Sequence, residues 1–224
     1  MIVKNRMTRD PITVTPDDTL ARALQLTRTH RIRHLPVVGG DGRLIGILSD
    51  RDMRLAMPSP LTVEDAERMD FLERTPIAAV MTREVITATI GMTVEDAAKM
   101  MYKHRIGSLP VVGGEGELVG IITETDILYA FVQILGGTEP SSRLEVALED
   151  RPGELARAIR IIGEELKLNI ESIVVPSTRS QARKCAILHI RTIDPRPAID
   201  ALEAAGFTVG WPSLSYDLRT EEGA

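Results

Sequence analysis

Two strings in the sequence place a hydroxyl and a carboxylate three residues apart, Ser49-x-x-Asp52 and Thr123-x-x-Asp126, each directly after an apolar, β-branched run. Such a position reads as the end of a strand and the first turn of a helix. There the unpaired N–H groups favour an anion, and a carboxylate can accept hydrogen bonds from a diol. The same spacing also describes a capping box, in which the two side chains satisfy only the helix's own N–H groups. Thr62-Val63-Glu64-Asp65 and Thr93-Val94-Glu95-Asp96 share it with nothing else to suggest a ligand, so spacing alone leaves both readings open. Arg33 and His34 stand ahead of one buried strand pattern and Arg51 lies inside its capping turn, whereas the matching later positions are Gly107, Ser108 and Thr125.

The remaining reactive side chains form no catalytic or metal pattern. His30, His34, His104 and His189 have no ligand spacing, and His30 and His104 each end a helix pattern beside an arginine, where a cation suits the dipole. Cys185 lies in a strand pattern without a nearby catalytic histidine and reads as a small buried hydrophobe. With no P-loop and no nucleophile elbow, no catalytic residue and no metal ligand is assigned.

The elements that must position these residues come from an internal repeat. Residues 7–56 align without a gap on 81–130, with about half the positions identical, clustered in MTR, HRI, LPVVGG and LxGI. The MTR that opens each copy carries Thr8 and Thr82, read as turn or cap residues and as further site candidates. A short strand follows (Ile12-Thr13-Val14; Ile86-Thr87-Ala88), then a helix with its apolar face on Leu20, Ala23, Leu24 and Thr27, or Val94, Ala97, Ala98 and Met101. The LPVV run, the GGDG or GGEG turn and the returning run make a hairpin, and a second helix closes each copy from Asp50 to Ala56 and from Glu124 to Leu135. A copy this small closes little core alone, so the two are expected to bury a shared one. The copies differ in charge: 7–56 holds eight basic and six acidic residues, a balance of +2, and 81–130 holds four and seven, a balance of −3. Either the two copies form unequal pockets, the one with Ser49, Asp52, Arg33 and Arg51 being more cationic and so accepting more negative charge than the one with Thr123 and Asp126, or these arginines are solvated surface charges.

The boundaries read as 1–58 for the first copy, 59–80 for a helical connector, 81–136 for the second copy and 137–142 for a linker. Beyond it the order is βαββαβ, a ferredoxin-like α+β sandwich over 143–216 with a tail at 217–224. Its strands are LEVAL at 144–148, 169–175, 184–191 and 208–211, with a hairpin at 176–183. Its helices are one of about 14 residues faced by Leu155, Ile159, Ile162 and Leu166, and one at 197–205.

Composition narrows the function classes. The 224 residues are 43% hydrophobic, which excludes disorder, and the net charge of −5 with 3% aromatic residues argues against a nucleic-acid partner. One cysteine cannot staple a secreted scaffold. No apolar run is long enough to cross a membrane, and Lys4, Arg6, Arg9 and Asp10 interrupt any signal-peptide core, so a cytoplasmic protein without a membrane partner is expected.

HRIRHLPVV with GILSDRD, and HRIGSLPVV with GIITETD, resemble a tandem pair of CBS domains, the regulatory Bateman module. EDRPGEL and the βαββαβ order resemble an ACT domain, and the succession of the two resembles the acetoin-utilisation protein B family. The resemblance implies that Ser49 and Thr123 meet a phosphate, that Asp52 and Asp126 hold ribose hydroxyls, and that Arg33, His34, Arg51, Thr125, Thr8 and Thr82 lie nearby. It implies a non-enzymatic sensor with no obligatory cofactor, binding AMP, ADP or ATP, or S-adenosylmethionine, as an effector. Arg151, Pro152 and Gly153 would receive a free amino acid in the ACT-like part, paired with Asn169 from a neighbouring domain. The alternative for Pro152 and Gly153 is that they only start a helix and pack close. A homodimer acting on an unidentified regulated protein is expected.

Overall fold

The structure, a computed structural model, describes residues 1–59, 63–136, 140–176 and 183–211. The chain forms two units, Met1–Ala130 and Phe131–Ala224. Thr62, the interior of the expected linker, the hairpin tip and the tail at 217–224 lie outside the described residues.

In the first unit each copy follows the order read from the sequence. The first holds β1 (Thr8–Arg9), α1 (Leu20–His30), β2 (His34–Val38), β3 (Leu44–Ser49) and α2 (Asp50–Ala56). After the connector helix α3 (Asp65–Arg74) come β4 (Ala88–Thr89), α4 (Val94–His104), β5 (Ser108–Val112), β6 (Leu118–Thr123) and α5 (Glu124–Ile134). Helices α1 and α4 start alike, with Thr19 and Thr93 accepting the backbone N–H of Arg22 and Asp96. They also stop alike, on Arg31 and Arg105 in the left-handed region. Leu20, Ala23 and Thr27, and Val94, Ala97 and Met101, are buried along the expected stripes, while Leu24 and Ala98 are half-buried. The hairpins pair His34 with Ser49 and Ser108 with Thr123, and turn on Gly42 and Gly116 at positive φ.

Two features depart from the expected string. The strand at Ile12–Val14 shrinks to a bridge between Val14 and Val37, because the next N–H, on Thr15, is taken by the Asp18 carboxylate at 2.7 Å. More consequentially, the opening MTR does not stay with its own copy. Strand β1 pairs antiparallel with β6, Thr8 opposite Ile121 and Arg9 opposite Gly120, while Thr82 bridges to Ile47 in β3. Each copy thus lends its first residues to the last strand of the other, and the glycine of each LxGI motif lies where the lent segment crosses.

The second unit has β7 (Ser142–Glu149), α6 (Glu154–Arg160), β8 (Ile170–Val174), β9 (Arg183–Ile190), α7 (Arg196–Ala204) and β10 (Thr208–Gly210). Its sheet runs β10-β7-β9-β8 with every pairing antiparallel, as the βαββαβ reading requires. Leu144, Val146, Leu148, Ala186, Leu188 and Ile190 alternate into one face, against Ala158, Ile162, Ala198 and Leu202 from the helices. Ser142, assigned to the linker from the sequence, already belongs to β7; it is buried and donates to the Thr192 carbonyl at 2.8 Å. The helix expected as one run of about 14 residues is α6 continued by a π-helical turn, Ile161–Glu165. Ala158, Ile161 and Ile162 are buried, Leu155 and Leu166 are half-buried against the same core, and Ile159 is half-buried.

Candidate functional site

Both hydroxyl–carboxylate strings are capping boxes. Asp52 Oδ2 accepts from the Ser49 N–H at 2.9 Å and hydroxyl at 2.6 Å, and the Asp52 N–H donates to Ser49 Oγ at 3.2 Å. Thr123 and Asp126 repeat this at 2.8, 2.7 and 3.4 Å. Thr93 caps α4 with two of these three bonds, its hydroxyl donating to Asp96 Oδ2 at 2.8 Å and accepting the Asp96 N–H at 3.0 Å. The spacing is therefore structural in all three places, and surroundings decide which of them face a ligand. An ionised carboxylate offers about four lone-pair sites. The cap takes two, both on Oδ2, so capacity for further donors remains.

Thr123 and Asp126 open onto a cavity of about 370 Å³ that Thr125, Thr8, Arg33 and His34 also line. That volume is within the range of small-molecule sites. The strand exchange brings these residues together: Thr8 arrives on β1, paired with β6, so the first copy supplies Thr8, Arg33 and His34 and the second supplies the capping turn. This corrects the expected grouping of Arg33 with Ser49, Asp52 and Arg51. The Arg33 carbonyl does accept the Asp50 N–H at its own copy's helix start, at 2.9 Å, yet its side chain lines the cleft of the other copy. By the repeat, Ser49, Arg51, Asp52, Thr82, Gly107 and Ser108 are the positions equivalent to Thr123, Thr125, Asp126, Thr8, Arg33 and His34, and the bridge from Thr82 to Ile47 mirrors the pairing of Thr8 with Ile121.

Arg31, Asp10, Ile12 and Ile121 also line the cavity and were missed from the sequence. The HRI common to both copies was a usable signal for Arg31, which ends α1 left-handed and turns the chain toward the cleft. His34 is half-buried, and its pKa is held below the ordinary imidazole value mainly by burial and then by Arg33. Asp50, Glu124 and Asp52 oppose that shift.

In the second unit Gly153 caps α6 at a φ of 92° and Pro152 precedes it in a turn, so neither is inside the helix. Glu154 is buried and draws in both Arg151, at 2.8 Å, and Arg157, at 3.5 Å. Arg151 lines a cavity of about 70 Å³, well short of the roughly 300 Å³ at which small-molecule sites begin. Asn169 does not share it: its carbonyl accepts the Arg191 N–H at 2.9 Å.

The profile of the CBS domain matches residues 3–59 and 77–133. The chain belongs to the CBS-domain family. Its CBS pair is 36% identical over 143 residues to a CBS domain-containing protein of Dictyostelium discoideum, covering 63% of this chain and 99% of that one. It is 34% identical over 158 residues to an inosine-5′-monophosphate dehydrogenase of Methanocaldococcus jannaschii, but there the match covers 70% of this chain and only 29% of the enzyme. Among solved structures, an acetoin utilization protein (AcuB) from Vibrio cholerae superposes with a TM-score of 0.51 at 34% identity, over 62% of this chain and 98% of that one. The CBS pair of protein MJ0100, in complex with 5′-methylthioadenosine and S-adenosyl-L-methionine, does so with a TM-score of 0.50 at 31% identity and the same coverage. No helix among the described residues is long and apolar enough to cross a membrane.

Proposed function

We propose that this protein is a non-enzymatic regulator whose CBS pair binds an adenosine-containing effector. The observation that carries the reading is the cavity in which the capped helix start at Thr123 and Asp126 meets Thr8, Arg33 and His34 from the other copy. A helix N-terminus with a hydroxyl suits a phosphate, and a carboxylate with unused lone pairs suits a ribose diol. The adenosyl ligands of the MJ0100 pair support the same ligand class here. Arg31 and Arg33 offer two cations to the phosphates of AMP, ADP or ATP in this cleft; the repeat puts Arg105 and Arg51 at the other, so arginine number does not rank the two pockets. The second unit, read as an ACT domain from EDRPGEL and its strand order, would associate two chains and sense an amino acid; the small cavity at Arg151 weighs against the latter within one chain. Effector binding would then alter the affinity for a regulated protein.

A thermal-shift panel of adenine nucleotides, S-adenosylmethionine, 5′-methylthioadenosine and free amino acids tests this. A ligand at 100 times its Kd adds about 2.7 kcal/mol, a rise of roughly 5 to 10 °C in midpoint for a chain of this size. Asp126→Ala should abolish the rise from AMP or ATP, and Asp52→Ala should leave most of it, each losing about 1 kcal/mol of stability with its cap. No shift by any adenosine ligand refutes the reading, and sustained ATP turnover by the purified protein refutes the non-enzymatic part.

A further inference from the structure

His34 is the place where the two copies differ most in chemistry. Its repeat partner is Ser108, a buried hydroxyl with no hydrogen-bond partner among the described residues, and Arg33 corresponds to Gly107. The asymmetry has a steric reason. A Cβ on Gly107 would stand 3.2 Å from His34 Cε1 and 3.4 Å from a Glu124 carboxylate oxygen, so the imidazole occupies the space that a side chain at 107 would need. The ring thus lies between the helix starts of α2 and α5 and on the wall of the Thr123–Asp126 cavity.

From its own segment it faces Arg33; from α2 it faces Asp50 and Asp52; from α5 it faces Glu124. Arg31, Asp10 and Asp126 complete the charged lining of the cavity. Burial and Arg33 outweigh the three carboxylates and favour the neutral ring. A phosphate entering this cleft adds negative charge beside a ring whose burial amplifies the interaction, and so favours the protonated form. Ser108, without a titratable proton in this range, gives the counterpart cleft no such response.

We propose that His34 takes up a proton when a nucleoside phosphate occupies the Thr123–Asp126 cleft, so that this cleft responds to phosphate charge and pH together and its counterpart does not. The proposal rests on the nucleotide reading of the site. Affinity for an anionic ligand then rises as pH falls through the interval between the ring's bound and free pKa values, and levels off beyond either end. A one-unit difference between those values makes the two plateaus differ about tenfold.

The test is calorimetric titration of the full chain at pH 7.5 and 5.5 with ATP and with 5′-methylthioadenosine, which carries no phosphate. Wild type should bind ATP about tenfold more tightly at the lower pH than His34→Asn does, each relative to its own affinity at pH 7.5; the variant subtracts the titration of ATP itself. 5′-Methylthioadenosine should bind with no pH dependence. Titration of wild type in two buffers of different ionisation heat should register proton uptake on ATP binding, a measurement independent of whether the variant folds. Equal pH dependence in wild type and His34→Asn, equal dependence for both ligands, or no proton uptake overturns the proposal while leaving the nucleotide reading intact. Binding of neither ligand at either pH overturns both.

Discussion

Gly120→Ala should disrupt the exchange of opening strands, and its size can be worked from the crossing. A Cβ on Gly120 would stand 2.9 Å from the Thr8 carbonyl oxygen and 2.7 Å from Met7 Sδ. The thioether can swing aside, but the carbonyl belongs to β1, held by its pairing with β6, so the strand itself must move. Overpacking of this kind costs about 1 to 3 kcal/mol. Removing a glycine's freedom from the unfolded chain returns about 0.4 to 1 kcal/mol where the backbone conformation is compatible. A net loss centred on about 1.3 kcal/mol follows, or a midpoint lower by roughly 3 to 8 °C for a unit of this size. Because Thr8 lines the cavity, ATP affinity should fall with it. Gly46→Ala meets the Thr82 carbonyl at the longer distance of 3.2 Å and should lose less. Gly114→Ala, with nothing within 4 Å, should be neutral or slightly stabilising. Thermal denaturation of the three variants side by side checks the order. A Gly120→Ala protein as stable as Gly114→Ala would refute the close crossing and, with it, the composite cavity.

Two expectations concern pH and the second unit. His34 and His189 are both held below the ordinary histidine pKa of 6.5, first by burial and then by Arg33 and Arg143. As pH falls, the unfolded chain protonates first, so the stability these rings contribute is present above pH 6.5 and is lost as pH falls through their folded values. The unliganded midpoint should therefore decline between pH 7.5 and 5.5, and the decline should be shallower in His34→Asn and His189→Asn; a flat wild-type profile would contradict the assignment. In the second unit, Arg157 stacks on Phe207 at 4.3 Å and donates to the Ala205 carbonyl at 2.9 Å. Arg157→Ala should lose about 1 kcal/mol by denaturant unfolding, and Arg157→Lys, which keeps the charge without the planar stack, should recover only part of it.

Much of the fold is legible because its signals are local. The stripes of α1 and α4, the glycines at 42 and 116 and the boxes at Ser49 and Thr123 each depend on residues within a turn or two of one another. The same locality explains the misreadings. A 3.6-residue period set Ile159 on the core face with Leu155, Ile162 and Leu166; these three pack on the core, whereas Ile159 is only half-buried and Ala158 and Ile161 are buried beside them. The linker reading of Ser142 followed from residue type, whereas its bond to the Thr192 carbonyl comes from far along the chain.

Within the site, the sequence by itself determined which side chains could act: the capped Asp52 and Asp126, the threonines of each MTR, and the pair Arg33 and His34 that the second copy lacks. Only the tertiary structure decided which of them act together. The opening strands cross between copies, since β6 offers an edge to β1 and the LxGI glycines leave room for the approach. Thr8 and Arg33 consequently share the cleft of Thr123 and Asp126, and His34 stands between that cleft and the carboxylates of its own copy. Pairing between the two ends of the first unit has no periodicity to read, because a strand edge accepts any backbone and only the packing around Gly46, Gly107 and Gly120 distinguishes one partner from another.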